Sequence, residues 1–140
     1  DASNRQSMWE DEKGARAAFV AAAGLRDPAE RETRDHALRA LWALATDPAC
    51  AEPIWRDEAF ARAALVAAAG LAGPQDAKAR LCALRALQVC ATEAANKEPM
   101  WLDEGGARAA LVDAARLAGP EDQKARVCGL AALQNLAIEP

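Results

Sequence analysis

One stretch of sequence occurs three times at a constant spacing, and this repetition constrains the fold more than any other feature. The copies read MWEDEKGARAAFVAAAGLRDP, IWRDEAFARAALVAAAGLAGP and MWLDEGGARAALVDAARLAGP. Their tryptophans, Trp9, Trp55 and Trp101, lie 46 residues apart. Residues 54–93 and residues 100–139 are identical at 26 of 40 positions. A fixed period of this length is typical of stacked helical repeats.

The period divides the chain into three units within a single domain, residues 1–140. We assign the units to residues 8–53, 54–99 and 100–140. The N-terminal sequence NRQSMW matches NKEPMW at the junction between the second and third units. Residues 1–7 are therefore interpreted as the tail of a preceding unit, and we expect the array to continue in a longer protein.

The composition favours helices throughout. Alanine, the best helix former, occupies 39 of the 140 positions, and no sustained alternation of β-branched and aromatic residues predicts a strand. Each unit is predicted to contain a short first segment with the sequence W-x-D-E, a second helix and a longer third helix. In the third unit, Gly105 and Gly106 are expected to turn the chain by adopting a positive φ, and Pro120 to begin the third segment.

Two or three helices in 46 residues cannot bury their apolar faces alone, so neighbouring units must cover them. The predicted fold is therefore all-α, an α-solenoid of three repeats. A plain helix bundle is the structural alternative, but it does not require a periodic sequence. In the third helix of the last unit, Leu130, Leu133 and Leu136 or Ala137 are predicted to form the buried stripe.

Charge and motif content argue against several classes of function. The net charge of -4 and the pI of about 5.1 argue against nucleic-acid binding. No apolar run is long enough for a membrane span. His36, the single histidine, lacks a nucleophile at motif spacing, and no Gly-rich phosphate loop is present. We therefore expect no enzymatic activity, no metal and no cofactor. The four cysteines, without C-x-x-C spacing, are interpreted as reduced, packed thiols; they are Cys50, Cys82, Cys90 and Cys128.

The unit resembles the armadillo repeat, with HEAT repeats as close relatives. GARAALV at residues 106–112 is similar to the turn and second helix of that family, and AALQNLA at residues 131–137 to the end of its third helix. The resemblance implies a right-handed superhelix of helix triplets, in which the third helices line a concave groove. Such a groove holds an extended peptide or a partner helix.

The resemblance also implies positions for binding residues. A recurrent Asn of the family is matched here by Asn135. The position of a groove Trp, one turn earlier on the third helix, is occupied by Arg39, Arg85 and Ala131. The implied groove would then carry two arginines in neighbouring units.

Helical spacing points to the same surface. Lys78, Cys82, Arg85 and Val89 form one stripe on the third helix of the second unit, opposite an apolar stripe. Equivalent stripes in the other units would give a mildly basic surface, suited to an acidic peptide because arginine pairs bidentately with carboxylates. The candidate partner-binding residues are Arg39, Trp42, Lys78, Arg85, Gln88, Lys124, Gln134 and Asn135.

The expected function is a non-enzymatic protein-interaction module that binds a protein or peptide along this groove. The alternative is a structural or assembly subunit that uses its end or convex faces. Since no distinct polar cap is present, we also expect end-to-end association through residues 1–8 and 128–140. An intracellular, cytoplasmic location is expected, with the nucleus or an organelle as alternatives.

Two further expectations concern stability. The three repeated tryptophans are predicted to be structural. Arg34, Arg80 and Arg126 are predicted to face an interface and to need a carboxylate. The candidates for Arg80 are Asp57, Glu58, Asp103 and Glu104, or Asp76 on its own helix.

Overall fold

The computed structural model describes residues 2–138, and this part of the chain is all-helical, which confirms the all-α class of the predicted fold. Short 3-10 turns precede the longest helices, and a wide helical turn precedes two of the others. The helices are α1 (Ala2–Glu10), α2 (Ala15–Ala23), α3 (Arg31–Ala45), α4 (Pro48–Arg56), α5 (Ala63–Ala69), α6 (Ala77–Cys90), α7 (Ala94–Leu102), α8 (Ala109–Ala115) and α9 (Gln123–Ala137).

The 46-residue period is visible in the helix bounds. The long helices α3, α6 and α9 begin at Arg31, Ala77 and Gln123. The first helix of each unit is α1, α4 or α7, nine residues long, and its tryptophan lies near the carboxyl end. The boundaries drawn from sequence, at residues 8, 54 and 100, fall inside these helices, so residues 2–7 share one helix with Trp9.

The W-x-D sequence joins the first helix to the second. The carboxylate of Asp57 accepts a hydrogen bond from the backbone N–H of Ala61 at 2.9 Å. Asp11 and Asp103 make the same bond to residues four positions on, both at 2.8 Å. Such a bond satisfies a backbone donor that the start of a helix leaves unpaired. The repeated aspartate therefore fixes the angle at which each second helix begins.

The expected positive φ at the glycine turn is wrong. Gly106 has φ -113° and ψ -105°, and Gly14 has nearly the same values. A Cβ atom at Gly106 would lie 2.2 Å from a carboxylate oxygen of Asp103, so the close approach of the capping aspartate is what favours glycine here. Within residues 2–138, a positive φ occurs only at Gly73, which precedes the 3-10 turn before α6.

Corresponding helices of successive units are neighbours. α3 packs against α6 and α6 against α9, while α5 contacts both α2 and α8, and α4 contacts α7. Leu84 and Leu87 are fully buried between these layers, as the apolar stripe predicts. Leu130 is an exception, with 57% of its surface exposed, because no later helix covers this side of α9 in the described part of the chain.

Buried arginines connect the units, through carboxylates other than those expected. Arg80 pairs with Asp122 at 3.1 Å and donates to the backbone oxygens of Leu71 and Gly73. Arg34 pairs with Asp76 at 2.9 Å, and also with Asp35 on its own helix at 3.3 Å. The predicted carboxylate partner is therefore confirmed for Arg34 and Arg80, but every candidate named for Arg80, the four W-x-D-E carboxylates and Asp76 on its own helix, was wrong. Within residues 2–138, Arg126 forms no ion pair.

Candidate partner-binding surface

The eight candidate residues lie on three neighbouring helices. Arg39 and Trp42 are on α3, Lys78, Arg85 and Gln88 on α6, and Lys124, Gln134 and Asn135 on α9. All eight fall into two groups, one toward the carboxyl ends of these helices and one at their amino ends. The first group, which we call the third-helix surface, consists of Arg39, Trp42, Arg85, Gln88, Gln134 and Asn135.

Two contacts across helices organise the third-helix surface. The guanidinium carbon of Arg85 lies 5.0 Å from the centre of the Trp42 ring, a cation–π contact between α6 and α3. The side-chain amide of Asn135 donates to the backbone oxygen of Gln88 at 3.4 Å. Both contacts run from one unit to the next, so the surface is continuous over all three units.

The two arginines of this surface differ in exposure. Arg39 is exposed, whereas Arg85 is half-buried because it lies against Trp42. An arginine held against an aromatic ring has already lost part of its side-chain entropy, which reduces the cost of fixing it in a complex. Arg85 is therefore a preorganised cation, and Arg39 is an exposed cation on the neighbouring helix.

The same arginines adjoin buried thiols of the following unit. Burial raises the pKa of Cys82, and the charge and hydrogen bond of Arg39 oppose that rise. Burial likewise raises the pKa of Cys128, against the charge and hydrogen bond of Arg85. Cys82 and Cys128 are buried, so the stripe drawn through Lys78, Cys82, Arg85 and Val89 does not face solvent along its whole length. At Cys82 this stripe faces the preceding unit and not solvent.

Lys78 and Lys124 belong to the second group, at the amino ends of α6 and α9. They line a cavity of about 470 Å³ together with Arg80 and three carboxylates, those of Asp35, Glu121 and Asp122. Three positive and three negative side chains balance at this site. The basic field that the sequence predicts is therefore confined to Arg39 and Arg85, and the lysines are separated from it by compensating charge.

A different cavity escaped the sequence analysis. It has a volume of about 620 Å³ and is lined by four apolar residues and three charged ones: Ala17, Val20, Ala21, Phe60, Glu12, Arg16 and Asp57. Phe60 replaces the turn glycine of the other units and is 62% exposed. Its place at a glycine position is the only sequence signal that could have pointed to this cavity.

Several observations bear on other chemistry. No group of three or more histidine, cysteine or acidic residues within the described part of the chain is placed to hold a metal ion. Over the same residues, no helix is both long enough and apolar enough to cross a membrane. All four cysteines are free and buried, in agreement with packed thiols.

Comparisons of the chain with family models, with curated proteins and with solved structures find no match.

Proposed function

We propose that this protein is a non-enzymatic interaction module, an armadillo-like or HEAT-like α-solenoid that binds an acidic peptide or helix across its third-helix surface. The observation that carries the proposal is the pair of arginines at equivalent positions of α3 and α6, Arg39 and Arg85, the first exposed and the second stacked on Trp42. Arginine recognises carboxylates through paired N–H donors. Gln88, Gln134 and Asn135 add amide groups beside them.

The solenoid architecture is supported by the order of helix contacts. Each long helix packs against the long helix of the next unit, and the second helices do the same. Linear stacking of this kind produces an extended surface formed by one helix from each unit. That surface is the one on which both arginines lie.

The helix spacing suggests which ligand would fit. Packed helices are about 8–10 Å apart, and an extended peptide in the polyproline II conformation advances about 3.1 Å per residue with three residues per turn, so every third side chain lies on the same side. Acidic side chains roughly three residues apart could therefore reach Arg39 and Arg85 together. We propose a peptide with glutamates at this spacing as the minimal ligand.

The experiment uses a fluorescein-labelled peptide with two glutamates three residues apart, and a matched peptide with lysines in their place. Fluorescence anisotropy should detect binding of the first peptide only, and the affinity should fall as salt rises because charges are screened. Replacing both arginines, Arg39→Glu and Arg85→Glu, should weaken binding by more than about 1 kcal/mol, while circular dichroism shows unchanged helicity.

The matched control is the double replacement Lys78→Glu and Lys124→Glu. Because these lysines adjoin three carboxylates, they should affect peptide affinity less than the arginines do. Equal losses in both double variants would indicate a non-specific response to net charge. Unchanged affinity after replacing both arginines would reject the third-helix surface as the site.

The alternative role, an assembly subunit, is favoured by a separate observation. Within residues 2–138, Trp101 and Leu130 have about half of their surfaces exposed, although their equivalents in the other units are buried. An apolar surface of this kind suits permanent assembly better than transient peptide binding.

A further inference from the structure

The cavity between the first and second units is formed by two short segments of the chain. One is α2 with the turn before it, and the other is the turn that joins α4 to α5. Both units are described, so the cavity belongs to a junction inside the stack. Its volume of about 620 Å³ lies in the range of about 300–1,000 Å³ that is usual for small-molecule sites.

Two walls of this cavity are apolar. Ala17, Val20 and Ala21 line it from one face of α2, at helical spacing. Phe60 lines it from the turn after α4 and is 62% exposed. The equivalent residues of the other two units are glycines, so the turn forms without a phenyl group. The ring therefore adds apolar surface to the cavity that the repeat itself does not require.

The basic side chains at the rim already have carboxylate partners. Arg16 pairs with Glu12 at 2.8 Å and lies 4.6 Å from the centre of the Trp9 ring. Arg56, the last residue of α4, pairs with Glu52 one helical turn earlier. These four charges cancel in pairs, so they give the rim little net charge.

The charge of Asp57 is not cancelled in this way. Its Oδ2 atom accepts a hydrogen bond from the backbone N–H of Ala61 at 2.9 Å. Its Oδ1 atom accepts none from the residues that the structure describes, and over the same residues Asp57 forms no ion pair. A carboxylate beside apolar walls attracts a cation more strongly than one in bulk water does, because the surroundings screen the charge less.

We propose that this cavity binds a small organic cation with an apolar body, such as an arylalkylammonium compound. The ammonium group donates to Oδ1 of Asp57, and the apolar body packs between Phe60 and Val20. An anion would meet a like charge at Asp57, and a neutral compound would cover the carboxylate without pairing it. None of the lining residues belongs to the third-helix surface, so this proposal is independent of peptide binding there.

The junction between the second and third units provides an internal comparison. Its charges are arranged alike, since Arg62 lies 3.9 Å from Glu58 and the carboxylate of Asp103 accepts from the N–H of Ala107 at 2.8 Å. The residue equivalent to Phe60 is Gly106. This junction therefore has the carboxylate without the aromatic wall, and the ligand should prefer the first junction.

The test is isothermal titration calorimetry with three compounds that share one apolar body and differ in charge. They are phenylbutylamine, which is protonated at neutral pH, phenylbutanol and phenylbutanoate. The amine should bind with a stoichiometry of one. The alcohol should bind at least about tenfold more weakly, because a hydrogen bond to a charged group is lost, and the carboxylate should bind more weakly still. No binding of the amine at millimolar concentration, or equal affinity for all three compounds, would overturn the proposal.

Two variants separate the contributions of the wall and the charge. Phe60→Gly gives the turn the residue of the other units and should weaken binding of the amine about tenfold, because apolar contact area is lost. Asp57→Asn keeps an oxygen that can cap the helix and should lower the affinity for the amine to that for the alcohol. Circular dichroism establishes that both variants are folded.

The matched control is Asp103→Asn, the same change at the equivalent position of the third unit. It should leave the affinity for the amine unchanged. Equal losses in Asp57→Asn and Asp103→Asn would show a general response to net charge and would reject the site. Unchanged affinity in Phe60→Gly would reject it as well, since the amine would then bind elsewhere.

Discussion

Arg80 and Asp122 are 42 residues apart in sequence, yet their side chains meet at 3.1 Å, both largely buried, and Arg34 and Asp76 repeat the contact at 2.9 Å. The aspartate belongs to the 3-10 turn that starts the next unit, and the arginine to the long helix of its own unit. The ion pair therefore links each unit to the next one.

The first prediction is a coupling energy between Arg80 and Asp122. Asp122→Asn and Arg80→Met should each destabilise the protein by about 1.5–3 kcal/mol, the range for hydrogen bonds to charged groups. Because the two side chains act on each other, the double variant should lose less than the sum, with a coupling of about 1–3 kcal/mol. Urea unfolding of the wild type, the two single variants and the double variant measures this coupling energy.

The surface pair Arg56 and Glu52, one helical turn apart, is the matched control and should give a coupling below about 0.5 kcal/mol. Additive effects for Arg80 and Asp122 would mean that the contact does not hold the units together.

The second prediction compares the stability lost on replacing Trp55 and Trp101, which occupy the same position in neighbouring units. Trp55→Ala should cost about 3–5 kcal/mol, since a buried aromatic ring is removed and a cavity remains. Trp101→Ala should cost roughly 1–2 kcal/mol, since about half of that side chain is already in contact with water. The two free energies of unfolding should be measured at concentrations at which the chain is monomeric. Equal costs would contradict the difference in exposure, 1% against 47%.

The third prediction concerns pH. Burial, assisted by the charge of Glu93, raises the pKa of Cys90 from its ordinary value of 9.0 to about 12. Above pH 9 the unfolded thiol loses its proton while the folded thiol keeps it, so the unfolded state is favoured as pH rises. This one group should lower stability by up to about 1.4 kcal/mol per pH unit between these two values. Cys90→Ala should therefore show a shallower loss of stability from pH 8.5 to 10.5 than the wild type in chemical unfolding. Parallel curves for the two proteins would show that the thiol does not titrate differently on folding.

Local sequence was enough for much of the helical structure. The 46-residue period and the alanine content predict helices throughout, and the described residues are helical with bounds that follow the same period. Asp27 directly precedes Pro28, and its carboxylate accepts from the N–H of Ala29 at 2.9 Å, which is a local side-chain cap. Such features depend only on residues within one or two helical turns, so the local sequence is enough to predict them.

The candidate site was less accessible to sequence reasoning. Helical spacing placed Arg39 and Arg85 at equivalent positions. It could not show that Arg85 stacks on Trp42, or that Cys82, which adjoins Arg39, is buried. It also could not place three carboxylates beside Lys78 and Lys124. Each of these contacts joins residues of different units, whose relative position depends on how the helices pack.

The sequence by itself determined the repeat, the helical class and the apolar stripes, because identical local sequences form similar helices wherever they occur. Only the tertiary structure decided what each helix touches. Leu84 and Leu130 occupy the same position in two units of similar sequence, yet one is fully buried and the other is 57% exposed. The physical reason is that burial is a property of a residue and its neighbours together, and within residues 2–138 the third unit has a neighbouring unit on one side only.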